Sequence, residues 1–261
     1  MKKTFKLLAL AVMLIMGSQA MAQTRGAMFL GASFPLSDYA DFDGFDDFAL
    51  TSLDNDDDDA GASVGFNVGL KWYFNVGVNG LGVMLSVDGL YNGANSDLKT
   101  AYREQENHYD GSLIDGSFSY NATPKFIHVP VMLGLNYIYR FNPSFGLYAE
   151  AGLGGNMRFI TKMEGVTQGS LLGAETKTTT TQSYDMGFGF AYQVGAGIEV
   201  AKNLVIGCSF YDLGKSRVKG EEVIVTKRTV VGNTTTTTDK NFNSFGTVHP
   251  YVIMARIGFS F

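Results

Sequence analysis

The chain has little of what most site chemistries need. One cysteine, Cys208, stands in 261 residues, which excludes an intrachain disulfide framework and a cysteine-based zinc site. Charged residues are only 17% of the total, too few for a coiled coil or a charge-driven disordered chain. Histidine occurs only as His108, His128 and His249, and none has a motif-spaced serine of the kind a nucleophilic couple needs. A net charge of −5 supplies no global basic field, and no basic stripe interleaves with aromatics, so nucleic acid is not an expected partner. Nothing in the sequence asks for a cofactor. No apolar run reaches eighteen residues, so no membrane-spanning helix is expected.

The first segment is an address. Residues 1–22 read MKKTFKLLALAVMLIMGSQAMA, in which Lys2, Lys3 and Lys6 precede the unbroken apolar run Leu7–Met16. Ala20-Met21-Ala22 has the form of a small-residue cleavage site. A ten-residue helix spans only about 15 Å against a hydrocarbon core of about 30 Å, so an export signal fits and an anchor does not. Cleavage after Ala22 leaves one domain, 23–261, and removes three lysines, taking the net charge from −5 to −8.

What the chain has in quantity is glycine, 32 residues, with 20 phenylalanines and 13 tyrosines. They fall into period-2 alternation. In Ser63–Phe74 the even positions Val64, Phe66, Val68, Leu70, Trp72 and Phe74 oppose Ser63, Gly65, Asn67, Gly69, Lys71 and Tyr73. Leu81–Tyr91, Ile127–Tyr139, Leu147–Leu153, Phe188–Val200 and Tyr251–Phe261 repeat the pattern. With Arg25–Phe34 and the less regular Leu204–Leu213, eight strands are expected. Most exceed the roughly 5–6 residues usual in soluble sheets and suit a tilted bilayer crossing.

Connections alternate in length. Asn75–Gly80, Arg140–Ser144 and Ala201–Asn203 are tight, whereas Pro35–Ala62, Asn92–Pro124, Arg158–Asp185 and Gly214–Thr247 are long. Short turns at one end and long loops at the other are the layout of an outer-membrane barrel. A soluble barrel would coat its second face with Lys and Glu; here that face is mostly Gly, Ser, Asn and Gln, as a narrow polar lumen requires. Aromatics on the apolar parity cluster at strand ends: Trp72, Phe74, Tyr137, Tyr139, Phe259 and Phe261 at one, Phe34, Tyr91, Phe188, Phe190 and Tyr251 at the other.

The last strand ends in Phe261, with apolar residues at every second position back to Tyr251. This resembles the terminal signal that barrel-insertion machinery reads in bacterial outer-membrane proteins. Phe126–Tyr139 (FIHVPVMLGLNYIY) and Phe145–Gly155 (FGLYAEAGLGG) resemble the middle strands of the small outer-membrane β-barrel family of OmpA/OmpX type, often labelled the porin family. The resemblance implies an all-β, eight-stranded antiparallel transmembrane β-barrel with short periplasmic turns and four long extracellular loops, set in outer-membrane lipid. It implies no single activity. With Phe261 last, no peptidoglycan-binding domain is expected after the barrel.

Candidate functional residues come from parity and from loop charge. Lys71, Asp88, Glu150, Glu199 and Arg256 fall on the lumen face, both signs present, so pairing is expected. Eight strands leave an interior just wide enough for side chains to fill, which makes this cluster a plug, or a gate if its pairs exchange. His128 shares the lumen parity, and Pro130 beside it predicts a bulge. The first long loop carries ten aspartates between Asp38 and Asp59; calcium is conceivable on oxygen count, but the EF-hand spacing fails and a solvated acidic loop is the simpler reading. In the fourth loop Lys215, Arg217, Lys219, Lys227, Arg228 and Lys240 outnumber Glu221, Glu222 and Asp239. Its hairpin signals predict a β-ribbon extending barrel strands seven and eight, and Thr176 with Thr178–Thr181 gives the third loop a similar texture. The functional expectation is a structural or surface-interaction protein binding an extracellular partner through its loops. The alternative is a small porin-like passive channel; a lipid-modifying enzyme is not expected.

Overall fold

The computed structural model describes residues 24–41, 60–100, 115–171, 174–201 and 203–261. The leader with its cleavage point after Ala22, the aspartates from Asp43 to Asp59, and His108 lie outside the described residues.

Thirteen strands are present among the described residues: β1 (Thr24–Leu36), β2 (Gly65–Asn75), β3 (Leu81–Asn92), β4 (Asp115–Ala122), β5 (Phe126–Asn142), β6 (Phe145–Ile160), β7 (Met163–Leu171), β8 (Ala174–Tyr184), β9 (Gly187–Val200), β10 (Leu204–Asp212), β11 (Ser216–Val230), β12 (Asn233–Val248) and β13 (Tyr251–Ser260). Eight of them close an antiparallel barrel in the order β1-β13-β10-β9-β6-β5-β3-β2. These are the eight segments with apolar alternation. In β3 the even residues Met84, Ser86, Asp88 and Leu90 are buried, while Val83, Leu85 and Val87 are half-exposed. Outward-facing Leu30, Leu135, Leu153 and Ile257 are each more than half exposed. A continuous apolar band of this size would aggregate in water, and it suits a hydrocarbon shell. Aromatic pairs flank the band: Tyr139 and Phe141 meet edge-on at 4.9 Å at the short-turn end, and Phe66 stacks on Tyr91 at 5.1 Å at the long-loop end.

The expected bulge at Pro130 is absent. Pro130 pairs with Asn156 and its neighbours keep step, the only register shift in the β5–β6 ladder lying between Arg140 and Asn142. Toward β3 the pairing resumes in the same register on either side of Val129–Pro130. The missing N–H is absorbed as an in-register gap in one ladder, which needs no extra residue.

The long connections build a second, five-stranded sheet in the order β12-β11-β8-β7-β4. The fourth-loop hairpin forms as expected, but it does not extend the barrel strands: residues 213–215 and 249–250 interrupt both of its legs. It also does not stand alone, since β11 pairs with β8 from Gly220↔Tyr184 to Val230↔Ala174. Threonine-rich strands with branched Cβ atoms suit this exposed pairing. Beneath one face of the sheet a helical segment at residues 96–100, begun by the Asn95 side chain accepting from the Leu98 amide at 2.8 Å, packs Ala94 and Leu98 against Met163.

Candidate functional site

The lumen is filled in three layers. The middle layer is a charged cluster raised on four barrel strands. Lys71 from β2 donates to Glu150 Oε1 of β6. Arg256 from β13 donates through Nη1 to Asp88 Oδ1 of β3 at 2.8 Å and through Nη2 to Ser209 Oγ at 2.6 Å, with Glu150 Oε1 3.6 Å away. The Tyr211 hydroxyl supplies Asp88 Oδ2 with a second donor at 2.8 Å. The Phe29 ring faces both cations, its centroid 5.5 Å from the Lys71 ammonium and 5.2 Å from the Arg256 guanidinium. Two cations and two carboxylates thus neutralise one another where single buried charges would be prohibitive. Lys71 and Asp88 are each 1% exposed and Glu150 and Arg256 5%, so the cluster is buried inside the barrel wall.

Glycine makes the cluster fit. A Cβ at Gly69, across the ladder from Asp88, would lie 2.0 Å from Asp88 Oδ1. One at Gly195, between Glu150 and Ser209, would lie 2.5 Å from Ser209 Oγ. The inward glycines are the space the side chains occupy.

Glu199 does not join this cluster. It sits near the β9–β10 turn, where it accepts from Arg25 and, at 2.8 Å, from Arg140 Nη2. Arg25 and Arg140 also line a cavity of about 490 Å³ that opens at the short-turn end. Tyr73 separates this cavity from the middle layer, its hydroxyl donating to Glu150 Oε2 at 3.4 Å.

At the long-loop end the stopper is mostly apolar. Tyr39, carried into the mouth by the 3-10 turn Ser37–Tyr39, packs in one cluster with Phe126, Leu213, Val218 and Val248. Its hydroxyl lies 3.1 Å from His128 Nε2, and the Asn156 amide lies 3.1 Å from His128 Nδ1. With the amide donating to Nδ1, the imidazole proton resides on Nε2 and is donated to Tyr39. His128 is therefore a satisfied structural group. Arg158 fills the adjacent space, donating to the Ser216 carbonyl and hydroxyl and to the Arg217 carbonyl. It ties the barrel to the root of β11. At the rim His249 meets Asp212 Oδ1 at 2.9 Å and the Tyr251 hydroxyl at 3.2 Å, which fixes the junction between β12 and β13.

Four of the five parity-assigned lumen residues, Lys71, Asp88, Glu150 and Arg256, are brought together, and Glu199 is held apart with Arg25 and Arg140. Sequence reasoning missed Arg158 because β6 was expected to end at Leu153. The signal was present: Asn156, Arg158 and Ile160 continue the inward parity of Glu150, and all three are buried. It also missed the Asp212–His249 contact, whose partners lie 37 residues apart. Among the described residues no group of His, Cys, Asp or Glu is placed to hold a metal ion.

Comparison with known proteins agrees with this architecture. The outer membrane protein beta-barrel domain family model matches residues 7–243. Similar solved structures include the attachment invasion locus protein Ail of Yersinia pestis, at 15% identity over 92% of this chain and 99% of that one, with a TM-score of 0.37. The outer membrane protein OprG of Pseudomonas aeruginosa is 14% identical over 91% of this chain and 95% of its own, with a TM-score of 0.38. Neisserial surface protein A is 11% identical over 91% and 94%, with a TM-score of 0.35. No curated relative matches the sequence. The chain belongs to the outer membrane protein beta-barrel domain family and is a bacterial outer-membrane protein.

Proposed function

We propose that this member of the outer-membrane β-barrel family is a surface-interaction protein: its barrel is a sealed pedestal, and its extracellular sheet is the working part. The observation that carries the reading is the contrast between the two halves. Inside the membrane the lumen is filled by neutralised ion pairs and an apolar stopper, whereas outside it three long loops contribute strands to a single sheet. Loops that merely joined barrel strands would have no reason to pair strand to strand across β4, β7, β8, β11 and β12. A sheet with one open face and, among the described residues, two outer strands unpaired on their far side is a surface on which a partner can bind.

We assign no catalytic role. His128 spends both ring nitrogens on Tyr39 and Asn156, and His249 spends both on Asp212 and Tyr251, so neither holds a serine in reach as a nucleophile. The test is excision of both hairpins, residues 163–184 and 216–248, each replaced by a short turn. The expected result is a barrel that still folds and resists detergent but no longer confers attachment of cells to surfaces they otherwise bind. Retention of full attachment by the trimmed barrel would overturn the reading.

A further inference from the structure

On the face of the extracellular sheet opposite the helical segment, one row of directly paired side chains crosses the strands. It runs Ser117, Gln168, Lys177, Lys227, Thr236. The two lysines are cross-strand partners, and both are exposed. Like charges directly opposite in a sheet repel, so the row is destabilising as it stands. Two other lysines of this sheet region are met by carboxylates: Lys240 pairs with Glu221 at 3.0 Å and Lys162 with Glu164 at 3.4 Å. Lys177 and Lys227 form no ion pair among the described residues. Their row holds only hydroxyls and an amide besides. The next paired row outward runs Asp115, Ser170, Glu175, Thr229 and Thr234, and residues of the two rows line a shallow groove of about 760 Å³.

We propose that this groove binds a carbohydrate chain bearing sulfate or carboxylate groups, one anion seated between the Lys177 and Lys227 ammoniums. Charge complementarity selects an anion, because the bound group relieves the lysine–lysine repulsion as it forms its own contacts. The lining selects a sugar over an acidic peptide. Hydroxyls of Ser117, Ser170, Thr229 and Thr234 and the Gln168 amide match sugar hydroxyls as donors and acceptors, and the groove offers no apolar pocket in which a peptide side chain could anchor. Glu175, one row away, sets the limit on how much anionic charge the groove accepts. This proposal rests on the surface-interaction reading and narrows it to a ligand class.

The experiment uses the whole mature chain, folded in detergent and verified by its heat-shifted gel mobility. Binding of dextran sulfate, polygalacturonate and unmodified dextran is measured by calorimetry at low and high salt. Saturable binding of one or both anionic polymers, weakened by salt and absent for dextran, is expected; which polymer binds distinguishes sulfate from carboxylate as the source. Lys177→Gln with Lys227→Gln weakens binding by about fivefold, as two exposed charge contacts should. Lys177→Arg retains it, Glu175→Gln strengthens it, and Lys125→Gln, beyond the sheet, leaves it unchanged. Equal binding of dextran, unchanged binding by the double variant, or binding of neither anionic polymer overturns the proposal. If the barrel carries no current while these polymers fail to bind, only the ligand class is wrong; if the barrel conducts, the surface-interaction reading itself fails.

Discussion

Arg256 reaches Asp88, 168 positions earlier in the chain, at 2.8 Å, and this contact fixes β13 against β3 across the interior of the barrel. The two strands are separated along the wall by β1 and β2, so no backbone ladder joins them. The side chains do what the wall cannot: they hold the cross-section and close it.

Removing one partner should therefore cost more than removing both. Arg256→Met leaves Asp88 and Glu150 short of a cation and is expected to destabilise the folded barrel by about 3–5 kcal/mol. The double change Arg256→Met with Asp88→Leu should recover most of that loss, because the uncompensated charge is gone. Urea unfolding in lipid vesicles, followed by tryptophan fluorescence of Trp72, measures both.

Gly69→Ala places a methyl where Asp88 Oδ1 now lies. The expected cost is about 1–3 kcal/mol, as for overpacking a full interior. If Gly69 were merely a flexible residue, alanine at this extended position would be neutral or mildly stabilising.

Tyr39→Phe removes the hydroxyl that accepts from His128 Nε2 and leaves a buried donor unmet, at an expected cost of about 1–3 kcal/mol. The loss should concentrate at the long-loop mouth. Hydrogen exchange should quicken at the ends of β1 and β5 there, and stay slow around Lys71.

The β4–β7 seam should respond to pH. The Asn121 amide, at 2.9 Å, and the Lys162 ammonium hold the Glu164 carboxyl below the ordinary carboxylate range. A depressed folded value means that this contribution is present above the unfolded value and is lost as pH falls through the folded one. The protection of β4 amides, taken relative to their intrinsic exchange rate at each pH, should fall as the solution is acidified through the carboxylate range, and Glu164→Gln should remove most of that dependence.

Much of this architecture was legible because a barrel wall has period 2. Parity alone placed Lys71, Asp88, Glu150 and Arg256 inside, and the same parity carried on to Arg158 past the point where apolar alternation faded at Gly154-Gly155. What parity does not give is height. Glu199 shares the inward face, yet it stands beside the β9–β10 turn and meets Arg25 and Arg140 instead of the middle layer. The extracellular sheet was half legible: threonine runs and the Gly232-Asn233 turn announced hairpins, but β4, reading DGSFSYNA, alternates only through Phe118, Tyr120 and Ala122, too short a run to stand out from a loop. Its place is fixed only by pairing with β7, and pairing between loops leaves no local mark.

Single-channel recording of the folded barrel in a planar bilayer tests whether the lumen beneath the outward-facing sheet is sealed. The expected record is silent at moderate voltage, with the protein delivered to the bilayer from vesicles in which its heat-shifted mobility shows it folded. Reproducible stepwise, ohmic current would mean that the Lys71–Glu150 and Arg256–Asp88 pairs do not close the barrel, and it would make passage through the wall, not binding above it, the protein's work.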